Sequence, residues 1–197
     1  MKLHQPLDDL LRGKGTLHVL RVLCRSPQEG FAAPDLARRG GLALSHVQGA
    51  LALLESHGLV DRRVAGRTHL WSIVSGNVLV PPLKGLFDVE RGLSEQLQRD
   101  LADGLRRTPV RRALLFGSVS RGEEKGWSDV DVLIELRKAA DRERVWDSII
   151  PLASQVRGRY GLNLAPIVLA PSEERGAMSP SFLATVNREG KVIKEAA

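Results

Sequence analysis

The stretch Leu114–Leu136, LLFGSVSRGEEKGWSDVDVLIEL, constrains this chain more than any other. An apolar run ends in Gly117-Ser118, and Ser128-Asp129-Val130-Asp131 opens a second apolar run. Side chains at i and i+2 of a strand share one face. Asp129 and Asp131 are therefore predicted to project together, with Val130 and Val132 buried behind them. Two carboxylates that close repel unless a cation or a proton sits between them. All-oxygen donors suit Mg²⁺, which takes one or two carboxylates and completes its octahedron with water and phosphate oxygens. Gly117 lets backbone N–H groups approach an anion, and the Ser118 hydroxyl can donate to a phosphate. Arg121 reads either as a phosphate contact or as a solvent-facing cation, and Ser128 reads as a turn cap. The chemistry implied is metal-assisted nucleotidyl or phosphoryl transfer. The competing reading is a strand start with two solvated acids, and the preceding Gly-Ser turn argues against it.

Around this unit, residues 110–197 alternate strand and helix. VRRALLFG is one strand, DVDVLIEL (129–136) a second and NLAPIVLA (163–170) a third. Residues 139–158 and 181–188 read as helices, and a last strand starts at Lys191. The phrases FGSVSRG and SDVDVLI match the pattern hydrophobic-G-S-x-x-x-G, short loop, S-D-x-D-hydrophobic. They resemble the DNA polymerase beta-type nucleotidyltransferase superfamily, and within it the minimal nucleotidyltransferases, over about residues 108–194. The resemblance implies a nucleoside triphosphate substrate and Mg²⁺. It gives Asp129 and Asp131 the catalytic and metal-holding roles, and makes Gly117, Ser118, Arg121, Gly122 and Ser128 the nucleotide-binding set. One departure stands out. The superfamily carries a third carboxylate on a later strand, where it shares a metal and takes a proton from the attacking hydroxyl. Leu162–Leu169 has no acid, and Ala165 aligns with that position. Glu173 and Glu174 follow Pro171, past the strand, and Asn163 could offer an oxygen but no base.

The N-terminal part has a different character. Helices are predicted at Gly15–Arg25, at Pro34–Arg39 and from Ser45, as N-cap, to His57, where Gly58 stops the helix. Val47, Ala50, Leu51 and Leu54 form the apolar row of the third. Two β-prone runs flank Ala65-Gly66 as a hairpin. Three helices and a hairpin make a winged helix-turn-helix pattern. The phrase from Leu44 to Arg67, LSHVQGALALLESHGLVDRRVAGR, resembles winged-helix regulators of the ArsR and MarR kind. Ser45, His46 and Gln48 then become candidates for base or phosphate contact, and Arg62, Arg63 and Arg67 for backbone or minor-groove contact. Protein contact or dimerisation is the competing use of such a domain.

Composition agrees with these partners without demanding them. Twenty-nine basic residues against 23 acidic ones give +6, and residues 1–76 hold ten basic and six acidic residues, net +4. That permits a polyanionic partner such as duplex DNA. The one cysteine, Cys24, cannot form an internal disulfide and reads as a buried thiol in a reducing cytoplasm. No apolar run approaches 18 residues, so no membrane span is predicted. The chain is thus expected to be an α+β protein of two domains. Residues 1–76 form the winged helix-turn-helix, 77–108 a helical connector after a Pro-Pro break, and 109–197 a nucleotidyltransferase-like α/β sheet domain. The whole resembles prokaryotic fusions of a DNA-binding domain with a minimal nucleotidyltransferase. The alternative is a transcriptional regulator whose degenerate nucleotidyltransferase-like domain senses a ligand or forms the dimer. A homodimer and a protein or RNA acceptor stay open.

Overall fold

The computed structural model describes residues 7–123, 128–173 and 178–195. The chain divides into two units, Met1–Gly92 and Leu93–Ala197.

The first unit runs α1 (Leu7–Leu10), α2 (Lys14–Arg25), β1 (Phe31–Ala32), α3 (Ala33–Gly40), α4 (Leu44–Ser56), β2 (Val60–Ala65) and β3 (Thr68–Ile73). The strands form an antiparallel sheet in the order β1-β3-β2. Val19, Leu20 and Leu23 of α2 meet Val47, Leu51 and Leu54 of α4 in one core, as their helical spacing requires. Trp71 packs against that core from the hairpin. Cys24 is buried in it, and burial pushes its thiol up to about 11. This is the winged helix-turn-helix arrangement.

Three boundaries differ from expectation. Ser45 is not the cap of α4. Ala43 holds that position in extended conformation, and its carbonyl accepts from the N–H groups of His46 and Val47. The hairpin turn is Gly66-Arg67 rather than Ala65-Gly66, because Ala65 still pairs with Thr68. Pro81 and Pro82 do not break the chain. They lie in the first turn of α5 (Val80–Leu105), where a missing N–H costs no intrahelical bond. Asn77 prepares this start, its Oδ1 accepting from the Leu79 N–H at 3.0 Å.

Helix α5 belongs to the first core through Val80, Leu83 and Phe87, and to the second through Leu97, Leu101 and Leu105. The second unit continues with β4 (Val110–Phe116), α6 (Gly117–Arg121), β5 (Val130–Leu136), a 3-10 turn (Ala139–Asp141), α7 (Arg142–Tyr160), β6 (Leu164–Leu169), α8 (Pro180–Glu189) and β7 (Lys191–Glu195). Its sheet runs β6-β5-β4-β7; β5 and β6 are parallel, and the other pairs are antiparallel. Parallel neighbours need a crossover, and α7 supplies it. Alternation splits the sheet residues between two layers. Ala113, Leu115, Val130, Val132 and Ile134 pack with α5 and α7, whereas Leu114, Leu133 and Leu169 pack with α8. Phe116 and Phe182 meet edge to face, 5.7 Å between centroids, under α8. Among the described residues no helix is long and apolar enough to cross a membrane.

Candidate functional site

Strand β4 delivers the chain to Gly117 and β5 delivers Asp131 beside it, because Phe116 and Asp131 are register partners. Gly117 sits at φ 76, and a Cβ there would collide with Oδ2 of Asp131. The left-handed backbone favours glycine, and any Cβ would have to push the Asp131 carboxylate aside. Ser118 follows on α6, which ends at Gly122, φ 71. Val130 and Val132 are buried, so Asp131 lies on the opposite side of β5, and Asp129 immediately precedes the strand. Asp129 is exposed and Asp131 half-buried. Burial first, and then the Asp129 charge, raise the Asp131 carboxyl above the usual carboxylate range, while Arg121 pulls it back down. The Arg121 guanidinium is itself shared by Glu123 at 2.7 Å and Glu189 at 3.9 Å. Half-buried Ser128 leads directly into Asp129.

The neighbouring strand β6 carries no acid toward this pair. Ala165 is the register partner of Asp131 and in a parallel ladder lies on the same face. Asn163 does not present an oxygen to the site. Its Oδ1 accepts from Arg157, and its Nδ2 donates to Asp129 Oδ1 at 3.2 Å. Glu173 is held elsewhere. It accepts from the Ala170 N–H at 2.9 Å and from Arg142, and these partners, the backbone N–H first, keep its carboxyl below the usual range. Glu174 lies outside the described residues. Among the described residues no group of three or more His, Cys, Asp or Glu side chains could hold a metal ion. A pair of carboxylates nevertheless fits Mg²⁺. The donors are oxygen only, their mutual repulsion would be relieved by a cation, and Mg²⁺ draws its remaining ligands from water and phosphate.

The polar face of the first unit separates into two groups. Gln48, Arg62 and Arg67 line one cleft of about 500 Å³ between α4 and the hairpin, together with Glu55 and Trp71. Arg62 is held there by Glu55 at 3.7 Å and by the Trp71 ring at 5.7 Å. Ser45 and His46 line a second cleft of about 570 Å³ with Arg12 and Lys14. Arg63 is exposed and lines neither. Arg12 and Lys14 escaped the sequence reading because they precede the motif, and only the packing of α2 against α4 brings them to it.

Residues 98–176 match the family model described as a nucleotidyltransferase domain. No curated protein matches the chain. Solved structures align with part of it. Reduced HlyU from Vibrio cholerae N16961 is 22% identical over 45% of this chain and 84% of its own, with a TM-score of 0.36. A homodimeric winged helix-turn-helix DNA-binding domain from Mycobacterium bovis is 22% identical over 46% and 77%, with a TM-score of 0.34. A toxin–antitoxin structure with AMP-PNP is 20% identical over 50% and 73%, with a TM-score of 0.37. The Gly117 turn, both aspartates and Asn163 all fall inside the matched family segment: residues 98–176 of this chain are a nucleotidyltransferase domain.

Proposed function

We propose that this chain is a DNA-binding protein whose nucleotidyltransferase domain binds a Mg²⁺–nucleoside triphosphate between Asp129, Asp131 and the Gly117-Ser118 turn. The observation that carries the reading is the seating of the Asp131 carboxylate against Gly117, with Asp129 two residues before it and its charge felt at Asp131. Asp129 and Asp131 would hold the cation. Gly117 leaves room for an anion, Ser118 donates to it, and Gly122, Arg121 and Ser128 complete the nucleotide contacts. When bound, Mg²⁺ would neutralise phosphate charge and polarise the phosphoryl group under attack. The chain offers no general base at Ala165, so nucleotidyl transfer to an acceptor is slow. Residues 1–76 take the DNA role, 109–197 the nucleotide role, and the helix in 77–108 joins them, in a cytoplasmic protein. A second reading rests on Ala165 itself: a transcriptional regulator, dimeric in the manner of such regulators, whose nucleotide site only senses.

Calorimetry on the full chain tests the nucleotide site. Mg²⁺-dependent ATP binding should vanish in Asp129→Ala and in Asp131→Ala. Equal binding by either variant removes the metal assignment. Duplex-DNA binding should weaken with salt, because phosphate contacts release counterions. Replacing Arg62, Arg63 and Arg67 together by Ala should lower the log–log salt slope by about 3. Replacing Gln48 should alter sequence preference instead. No binding to genomic fragments at low salt would leave the first unit a protein-contact module.

A further inference from the structure

We propose that Asn163, clamped by Arg157, is a positioning residue for Asp129 that decides which oxygen of this carboxylate a divalent cation meets. The inference rests on the reading of Asp129 and Asp131 as the cation site.

A guanidinium only donates and a carboxylate only accepts. Asn163 lies between one of each, so its amide has a single satisfying orientation, Oδ1 to Arg157 and Nδ2 to Asp129. Both ends of this relay are anchored. Arg157 stands on the last turn of α7, which Gly161 ends at φ 69. The Asn163 backbone carbonyl accepts from the Val130 N–H at 2.8 Å, at the opening of the parallel β5–β6 pairing. The relay therefore links the end of α7 to the start of β5 through one side chain. Asp129 itself is exposed at that strand start and would otherwise sample several rotamers. With Oδ1 engaged by the amide, Oδ2 is left to face a cation. Arg157 holds the Asn163 oxygen on the far side of the amide, so Asn163 meets Asp129 through its N–H. The amide stands in the layer behind the ligand, where such partners orient the coordinating atoms.

The experiment is Mn²⁺ titration of the full chain, read by the loss of free Mn²⁺ signal in electron paramagnetic resonance, with and without a non-hydrolysable ATP analogue. Asn163→Ala should weaken Mn²⁺ about tenfold, the lower end for a partner behind a metal ligand. Asn163→Asp should be no better than Asn163→Ala, since it keeps the Arg157 contact but turns an acceptor toward Asp129. Arg157→Ala should weaken Mn²⁺ less than Asn163→Ala, and the double variant should match Asn163→Ala rather than sum the two losses. Unfolding midpoints without metal should agree within about a degree for both exposed sites, which separates positioning from simple destabilisation. Mn²⁺ affinity within twofold of wild type in Asn163→Ala overturns the inference while leaving the carboxylate pair standing. Tighter Mn²⁺ in Asn163→Asp overturns it too, by making position 163 a ligand position. A wild-type chain that takes up no Mn²⁺ overturns the cation site and this inference with it.

Discussion

Asp131 and Ala165 are register partners across the parallel β5–β6 pair, so a methyl group, and no second acid, stands beside the carboxylate on that strand. Losing a general base costs about 10²–10⁴-fold in rate. Wild-type chain should therefore label DNA, RNA or protein acceptors from radiolabelled triphosphate slowly or not at all. Ala165→Asp should raise any measurable rate. Rapid labelling at catalytic stoichiometry by wild type would show that another group, such as the acceptor itself, supplies the base.

Gly117→Ala combines two penalties. The left-handed backbone costs a Cβ-bearing residue about 1–2 kcal/mol, and the new methyl must displace the Asp131 carboxylate. Gly41→Ala, at φ 59 with nothing within 4 Å of the added atom, incurs only the first. Thermal unfolding should show both variants less stable. Calorimetry should show Mg²⁺-ATP binding lost only in Gly117→Ala, and retained binding there would contradict the seating of Asp131 against that turn.

Asp131 makes the metal-free fold sensitive to pH in a direction that can be worked out. Burial and Asp129 raise its folded pKa above the unfolded value. The ionised form is thus penalised in the native state at neutral pH, and the penalty disappears as pH falls through the raised folded pKa. Asp131→Asn removes it at every pH. Without divalent cations the variant should melt above wild type at pH 7, by about 2–4 °C per kcal/mol relieved. That advantage should shrink as the solution is acidified toward the ordinary carboxylate range. An advantage that grows on acidification would reverse the assigned sign.

A second carboxylate behaves oppositely. Asp100 is buried and accepts from Tyr160 Oη and Arg159 Nη1, each at 2.7 Å, and from Gln96. The Tyr160 hydroxyl is the main cause that holds its carboxyl below the usual range. Tyr160→Phe should destabilise the chain by about 1.5–3 kcal/mol, the range for a hydrogen bond to a charged group. The Asp100 contribution is present above the unfolded carboxylate pKa and is lost as pH falls through the depressed folded one. Chemical denaturation at pH 7 reads the loss, and an unchanged midpoint would contradict it.

The strand period of two made the burial of Val130 and Val132 around Asp131 legible in the sequence, and helical spacing did the same for Val47, Leu51 and Leu54. These features depend on a local period alone. The position of Ala165 opposite Asp131 depends on strand order and on a parallel register, which local pattern does not encode. The Arg157–Asn163–Asp129 contact depends on where α7 stops. Ser45 has good capping chemistry, yet the extended residue after the Gly41 turn is Ala43, so backbone geometry overrode propensity. Pro81-Pro82 carries the same residue types as a chain break, and only the register of α5 places them in its first turn.

The most direct test of the carboxylate pair is anomalous density from Mn²⁺ in a crystal of the full chain grown with a non-hydrolysable nucleoside triphosphate. The account predicts a Mn²⁺ peak held by Asp129 and Asp131, with phosphate oxygens of the nucleotide completing its shell beside Gly117 and Ser118. A nucleotide ordered elsewhere, or saturating Mn²⁺ with no peak at either aspartate, would contradict it.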